Sequence, residues 1–87
     1  TMDVPAYTKV ASNPARVIGI NSVGMSRNEI PPESISIIKQ AFKILYKKGL
    51  KLEDSLKQID ILKSETSDSY LEIFTESIKS SSRGILR

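Results

Sequence analysis

The 87-residue chain contains no histidine and no cysteine, so its polar chemistry depends on lysine, arginine, carboxylate, amide and hydroxyl groups. Imidazole is the commonest general base near neutral pH, and it or a thiol completes most pairs of nucleophile and base. Such pairs cannot be assembled from these residues alone. The sequence therefore predicts binding groups without catalytic residues, and it indicates neither a cofactor nor a metal site.

A basic stripe, formed by Lys39, Lys43 and Lys47, lies within a segment from residue 34 to residue 52 that contains no acid. Spacing of four residues places the three ammonium groups on one face of a helix. The stripe fits either a docking surface for an acidic partner or the solvated outer face of an amphipathic helix. Nucleic acid is a poorer partner, because the net charge is only +3 and no exposed aromatic residues are expected among the lysines.

A second group of polar residues, from Asn21 to Asn28, lies where a β-prone segment gives way to helical patterns. Asn21 and Arg27 can together hold an anionic ligand, because the guanidinium group matches phosphate geometry with its fork of donors. The alternative is a turn capped by Asn21 and an ordinary surface arginine. The spacing does not match a phosphate-binding loop.

The lysine stripe lies on the first of three predicted helices. Apolar residues recur at helical spacing over about 33–48, 52–64 and 67–80. Gly49 is expected to end the first helix, and Ser69 with Glu72 fits a capping box for the third, with Ser67 as an alternative cap. Short connections favour an antiparallel helical hairpin with a third packed helix.

The first residues have a different composition, rich in Val, Ile, Pro, Gly and Asn. Residues 3–7, 9–11 and 16–20 are predicted to be extended, with a turn at residues 12–14. Two strands are too few for an independently stable sheet. The sequence thus predicts a leader, residues 1–24, and a helical domain, residues 25–87.

The last seven residues allow two interpretations. Ile85 and Leu86 either fold back onto the core or belong to a frayed terminus. Elsewhere, no apolar run approaches the roughly 18 residues that span a bilayer. The absence of cysteine favours a reducing compartment.

Three separated segments resemble known acyltransferases. Residues 3–7 (DVPAY) followed by 12–19 (SNPARVIG) resemble the closing coil of hexapeptide-repeat transferases, which form a left-handed parallel β-helix. Residues 19–25 (GINSVGM) with Arg27, and 38–46 (IKQAFKILY), are similar to segments of the UDP-N-acetylglucosamine O-acyltransferases. The ending 82–87 (SRGILR) is similar to the end of that same family.

The resemblance implies a mostly α fold, a three-helix C-terminal domain preceded by a remnant of the last coil of a left-handed parallel β-helix. It implies a cytoplasmic homotrimer that transfers a 3-hydroxyacyl group from acyl carrier protein to the 3-hydroxyl of UDP-N-acetylglucosamine, the first step of lipid A biosynthesis. The family's general base is a histidine, which these residues lack, so they are expected to be inactive alone. The resemblance implies no cofactor, no nucleic-acid partner and no membrane span.

The resemblance also implies roles for particular residues. Asn21 and Arg27 would contact the UDP-sugar, and the lysine stripe would meet the acidic acyl carrier protein. Ser26 and Asn28 stand where the family often has basic residues, which predicts a weaker grip on the nucleotide. One β-helix coil cannot bury its own face, so residues 1–20 are expected to be poorly ordered or paired with another chain. The alternative hypothesis is a free-standing basic helical module that binds an acidic protein or nucleic acid.

Overall fold

The computed structural model describes residues 2–81 and 84–87. Within these residues two strands precede four helices: β1 Thr8–Ala11, β2 Arg16–Ile20, α1 Ser22–Arg27, α2 Pro32–Tyr46, α3 Leu52–Thr66 and α4 Ser69–Lys79. Helices α2, α3 and α4 correspond to the three predicted helices, so the predicted mostly α fold class is confirmed. In the described part of the chain, no helix has both the length and the apolar character that crossing a bilayer requires.

Helix α2 contributes the largest share of the core. Its first turn contains Pro32, which has no N–H to lose at a helix start. On its apolar face Ile38, Ala41 and Leu45 are fully buried, each with 0% of its surface exposed. Gly49 follows the helix with a φ of 67°, in the left-handed region that glycine adopts at low cost.

Helices α3 and α4 close the core from the other side. In α4 the apolar residues Leu71, Phe74 and Ile78 are buried. In α3 the apolar residue that is fully buried is Ile59. The leucines of α3 pack against the core but stay partly exposed. The bundle therefore depends mainly on the buried faces of α2 and α4.

Helix α4 begins differently from the prediction. Asp68 is its N-cap, and the Oδ1 atom accepts hydrogen bonds from the N–H groups of Tyr70 at 2.9 Å and Leu71 at 3.0 Å. Ser67 has a left-handed backbone with φ 51° and ends α3 instead. The predicted cap at Ser69 with Glu72, and the alternative at Ser67, are therefore wrong. The carboxylate at the N-terminus of α4 accepts hydrogen bonds from two otherwise free N–H groups, and its negative charge is stabilised by the positive end of the helix dipole.

The leader forms a hairpin in which β1 and β2 pair antiparallel. Thr8 lies opposite Ile20 and Ala11 opposite Arg16, with an irregularity in the register between Lys9 and Val10. The predicted extended run over residues 16–20 and the turn at 12–14 are confirmed. The hairpin is anchored at its end by Ile20, which is 8% exposed and belongs to the core.

The C-terminal tail, residues 84–87, joins the leader to the helices. Asp3 pairs in parallel with Ile85, its N–H donating to the Gly84 carbonyl at 2.9 Å and its carbonyl accepting from the Leu86 N–H at 2.8 Å. Ile85 is buried at 6% exposure, so the tail folds back onto the core. Residues 2–20 lie in an ordered hairpin and in contact with the tail, which differs from the expectation that residues 1–20 are poorly ordered. Their pairing with another chain stays a prediction. Two backbone hydrogen bonds between the tail and Asp3 are thus made within the chain.

Candidate functional site

Two asparagine side chains flank α1, and both hydrogen-bond to the same glycine. The Gly24 N–H donates to Asn21 Oδ1 at 3.1 Å, which caps the start of the helix. At the other end Asn28 Nδ2 donates to the Gly24 carbonyl at 2.8 Å. Asn21 is thus held through its oxygen and Asn28 through its nitrogen. Among the described residues, the Asn21 Nδ2 donor and the Asn28 Oδ1 acceptor have no hydrogen-bond partner.

Gly24 leaves space for the side-chain amide of Asn21. A Cβ atom built on Gly24 would lie 2.4 Å from Asn21 Nδ2, well inside van der Waals contact. Any larger residue must push the amide of Asn21 away from the helix. The glycine therefore allows the amide of Asn21 to lie against the start of α1. Helix α1 contains both residues of the predicted boundary between residues 24 and 25.

A cavity of about 320 Å³ opens beside α1. Its lining combines side chains from the leader, from α1 with its flanking residues, and from α4: Tyr7, Asn21, Gly24, Met25, Asn28, Ile30 and Tyr70. Met25 is 2% exposed and Ile30 is 7% exposed, so the apolar part of the lining is continuous with the core. A partly apolar concavity with a few polar groups is the usual form of a small-molecule site.

Two tyrosines line this cavity, Tyr7 from the leader and Tyr70 from α4. The Tyr7 carbonyl accepts a hydrogen bond from the Asn21 N–H at 2.7 Å, which fixes the leader beside α1. Burial raises the pKa of Tyr7 above its ordinary value, and the nearby Tyr70 and Asp68 raise it further. The Tyr7 phenol therefore stays protonated at neutral pH. Neither phenol hydroxyl has a hydrogen-bond partner within the described residues.

Asp68 places one of these tyrosines. While its Oδ1 atom caps α4, its Oδ2 atom accepts a hydrogen bond from the Ser34 hydroxyl at 2.6 Å. Ser34 lies in the first turn of α2 and is buried. One carboxylate therefore ties the starts of two helices together, and Tyr70 lies in the first turn of the second helix.

The two residues predicted to contact a UDP-sugar differ in their position relative to the cavity. Asn21 lines the cavity, whereas Arg27 lies in the last turn of α1, exposed and outside the lining. Sequence reasoning did not find Tyr7 and Tyr70 as site residues, because only folding brings the leader next to α4. Asn28 was noticed only as a replacement for a basic residue.

The lysine stripe lies as its spacing predicted. Lys39 and Lys43 are exposed on α2, and Lys47 is exposed at its C-cap. In the part of the chain that the structure describes, none of the three forms an ion pair or a hydrogen bond. The nearby Lys48 differs, since its Nζ donates to Gln58 Oε1 at 3.3 Å. The three ammonium groups of the stripe are thus free to meet a partner.

A family model described as UDP N-acetylglucosamine O-acyltransferase, domain 2, matches residues 3–86. The acyl-[acyl-carrier-protein]–UDP-N-acetylglucosamine O-acyltransferase of Pseudomonas putida is 39% identical over 85 residues, which cover 98% of this chain and 32% of that protein. The protein of the same description from Alkalilimnicola ehrlichii is also 39% identical, with the same two shares covered. The chain thus spans about a third of the length of the curated relatives it matches.

Solved structures of UDP-N-acetylglucosamine acyltransferases contain the same fold over nearly the whole chain. The UDP-N-acetylglucosamine acyltransferase of Francisella novicida superposes with a TM-score of 0.88 at 38% identity, covering 99% of this chain and 31% of that one. The corresponding structure from Bacteroides fragilis has a TM-score of 0.88 at 31% identity, covering 100% of this chain and 33% of that one. The helices, the hairpin and the tail therefore form an arrangement that these enzymes share.

Proposed function

The chain belongs to the family of UDP N-acetylglucosamine O-acyltransferase domain 2, and on that premise we propose that it serves the first acylation of lipid A biosynthesis. In this proposal it is the C-terminal part of an enzyme that transfers a 3-hydroxyacyl group from acyl carrier protein to the 3-hydroxyl of UDP-N-acetylglucosamine. The observation that carries the proposal is the match over residues 3–86, together with relatives named for this acyl transfer.

The chain contributes binding surfaces, and the general base comes from another part of the enzyme. Deprotonating a sugar hydroxyl near neutral pH needs a base such as imidazole, and this sequence contains no histidine. The proposal includes a cytoplasmic homotrimer, as the resemblance implied. The exposed lysines alone do not favour the alternative of a free-standing basic module.

Asn21 and Arg27 are proposed to hold the UDP-sugar. The anchored amide of Asn21 presents a donor at the cavity, and the exposed guanidinium of Arg27 suits a diphosphate, which accepts charge-assisted hydrogen bonds in pairs. Because Arg27 lies outside the cavity lining, the two residues would contact different parts of the ligand.

The lysine stripe is proposed to dock acyl carrier protein. Three exposed and unpaired cations on one side of α2 match an acidic partner, and such charges mainly raise the association rate and fix orientation. Because α2 packs its opposite face into the core, the stripe cannot rotate away from solvent without unfolding the bundle.

A chimeric enzyme tests the proposed function. In the Pseudomonas putida relative, the segment that matches this chain over 85 residues is replaced by this chain. We expect acyl transfer from acyl carrier protein to UDP-N-acetylglucosamine to be retained, and the same enzyme without the segment to be inactive. A chimera that folds and assembles but transfers no acyl group would contradict the proposal.

Charge reversal tests the docking surface. We expect the combined Lys39→Glu, Lys43→Glu and Lys47→Glu variant of this chain to bind acyl carrier protein at least about tenfold more weakly at low salt. The matched control reverses three other exposed cations, Lys9, Arg16 and Lys57, and so changes the net charge equally. Equal loss of affinity in both variants, measured by calorimetry, would show a nonspecific charge effect and reject the stripe.

A further inference from the structure

We propose that the docking surface for acyl carrier protein extends past the lysine stripe to Arg87, which holds a carboxylate of this acidic partner at the C-terminal end of α2. The inference rests on the proposed function and deepens it, because it assigns a partner contact to a residue that sequence spacing does not connect with the stripe. In this assignment Arg87 slows dissociation of the partner, whereas the lysines mainly speed its association.

The tail carries Arg87 to the end of the stripe. Its Nη2 atom donates a hydrogen bond to the carbonyl of Leu50, which lies in the connection between α2 and α3. Leu50 follows Lys47 by three residues, so even an extended chain separates their Cα atoms by no more than about 11 Å. Arg87 and Leu50 are 37 positions apart in the sequence, so only folding makes Arg87 a neighbour of the stripe.

The tail also contacts α2 on a side that borders the stripe. The Tyr46 hydroxyl donates to the carbonyl of Leu86 at 2.7 Å, immediately before Arg87. Tyr46 lies three residues after Lys43 and seven after Lys39, and these spacings place side chains on neighbouring parts of one side of a helix. The tail and the stripe therefore lie beside each other at the end of α2.

Arg87 adds a cation to a part of the chain that is already basic. Its guanidinium group forms no ion pair with any described residue and bonds to a neutral carbonyl instead. Lys47, Lys48 and Lys51 are exposed in the same connection. Like charges that lie together disfavour the folded state, and local conflicts of this kind are typical of functional surfaces.

The guanidinium group suits a directional contact with a carboxylate. Arginine has five N–H donors, and the bond to Leu50 uses one of them, which leaves further donors on an exposed side chain. A guanidinium group can hold a carboxylate through two parallel hydrogen bonds, which an ammonium group cannot do. Ile85, only 6% exposed, and the bond from Tyr46 fix the tail beforehand, so little freedom is lost on binding.

The test measures the rates at which acyl carrier protein binds to and leaves the 87-residue chain, by surface plasmon resonance. Arg87→Lys keeps the charge and removes the paired donors. We expect its dissociation rate to rise about fivefold to tenfold, while its association rate and the salt dependence of that rate change by less than about twofold. Arg16→Lys, at an exposed arginine of β2, is the matched control and should leave both rates unchanged.

A second variant removes the charge as well. Arg87→Gln is expected to raise the dissociation rate at least as much as Arg87→Lys and also to lower the association rate by about twofold to threefold at low salt. Urea unfolding of each variant measures stability separately. If Arg87 only stabilised the tail, its variants would lower stability while the dissociation rate of the folded chain stayed unchanged, and that result would overturn the inference.

The outcomes separate this inference from the proposed function. If charge reversal of the stripe weakens docking while both Arg87 variants dissociate as slowly as the original chain, Arg87 is not part of the surface and the proposed function stands. If Arg87→Lys and Arg16→Lys raise the dissociation rate equally, the contact is not specific to the tail and the inference fails. If acyl carrier protein does not bind the original chain at low salt, the docking surface and this inference both fail, and the chimeric enzyme alone decides the acyl transfer.

Discussion

The bundle of α2, α3 and α4 and the segment formed by the leader, α1 and the tail are stabilised in different ways. The bundle is held by apolar side chains that repeat at helical spacing, such as Ile38, Leu45 and Phe74, each fully buried. The leader and tail are held largely by backbone hydrogen bonds between opposite ends of the chain, as between Asp3 and Leu86.

This difference also separates two candidate functions. The lysine stripe lies on the bundle, where a regular helix fixes its spacing. The cavity lies at the junction, where the leader supplies Tyr7 and α4 supplies Tyr70. A docking surface thus needs only local structure, whereas the ligand site needs contacts between residues distant in sequence.

The largest effect is expected in the bundle. Replacing Phe74, which is 0% exposed, with alanine should destabilise the chain by about 3–5 kcal/mol, because the lost burial leaves a cavity. The neighbouring Ile73 is 51% exposed, and its replacement by alanine is the control, expected within about 0.5 kcal/mol of the original chain. Urea unfolding followed by circular dichroism measures both. Similar losses of stability for the two variants would mean that α4 does not bury the face that carries Phe74.

A smaller effect is expected where the bundle meets the site. Asp68→Ala removes the cap of α4 and the bond to Ser34, and it should cost about 1–2 kcal/mol. Asp60→Ala is the control, because its ion pairs with Lys79 and Lys63 are exposed and worth at most about 1 kcal/mol. Asp68→Ala should also shift the NMR signals of Tyr70. Unchanged Tyr70 signals would show that Asp68 does not position the cavity wall.

The smallest effect is a dependence on alkaline pH at the tail. The Tyr46 hydroxyl donates to the Leu86 carbonyl at 2.7 Å, and burial raises the pKa of Tyr46 to about 12, with Arg87 acting in the opposite direction. An unfolded tyrosine titrates near about 10, so the unfolded state releases its proton first. Stability from this group is constant below pH 10 and falls between about 10 and about 12.

Tyr46→Phe isolates that contribution. The variant should be less stable at neutral pH by about 1 kcal/mol, because the Leu86 carbonyl loses its partner. Its stability should also fall less steeply than that of the original chain between pH 10 and 12. The fall that remains comes from Tyr7, whose pKa is also raised. Urea unfolding at several alkaline pH values measures the slopes. Identical slopes would show that Tyr46 is not buried as described.

The two regions also differ in how far the sequence predicts them. Periodicity identified all three long helices, since each has an apolar face that the core buries. The cap of α4 was misassigned because serine and aspartate are both good caps, and geometry selects Asp68. The sequence contains no local pattern that predicts the β-bridge between Asp3 and Ile85 or the meeting of Tyr7 and Tyr70 at one cavity. The predicted division at residue 24 stays a prediction.

The central claim is that this chain binds and positions substrates while the reactive base lies elsewhere in the enzyme. The most direct measurement is acyl transfer from acyl carrier protein to UDP-N-acetylglucosamine by the 87-residue chain alone, with the chimeric enzyme as positive control. The claim predicts transfer by the chimera and none above the blank by the chain. Acyl transfer by the 87-residue chain alone would contradict the claim, provided that mutation of residues in the chain abolishes that transfer.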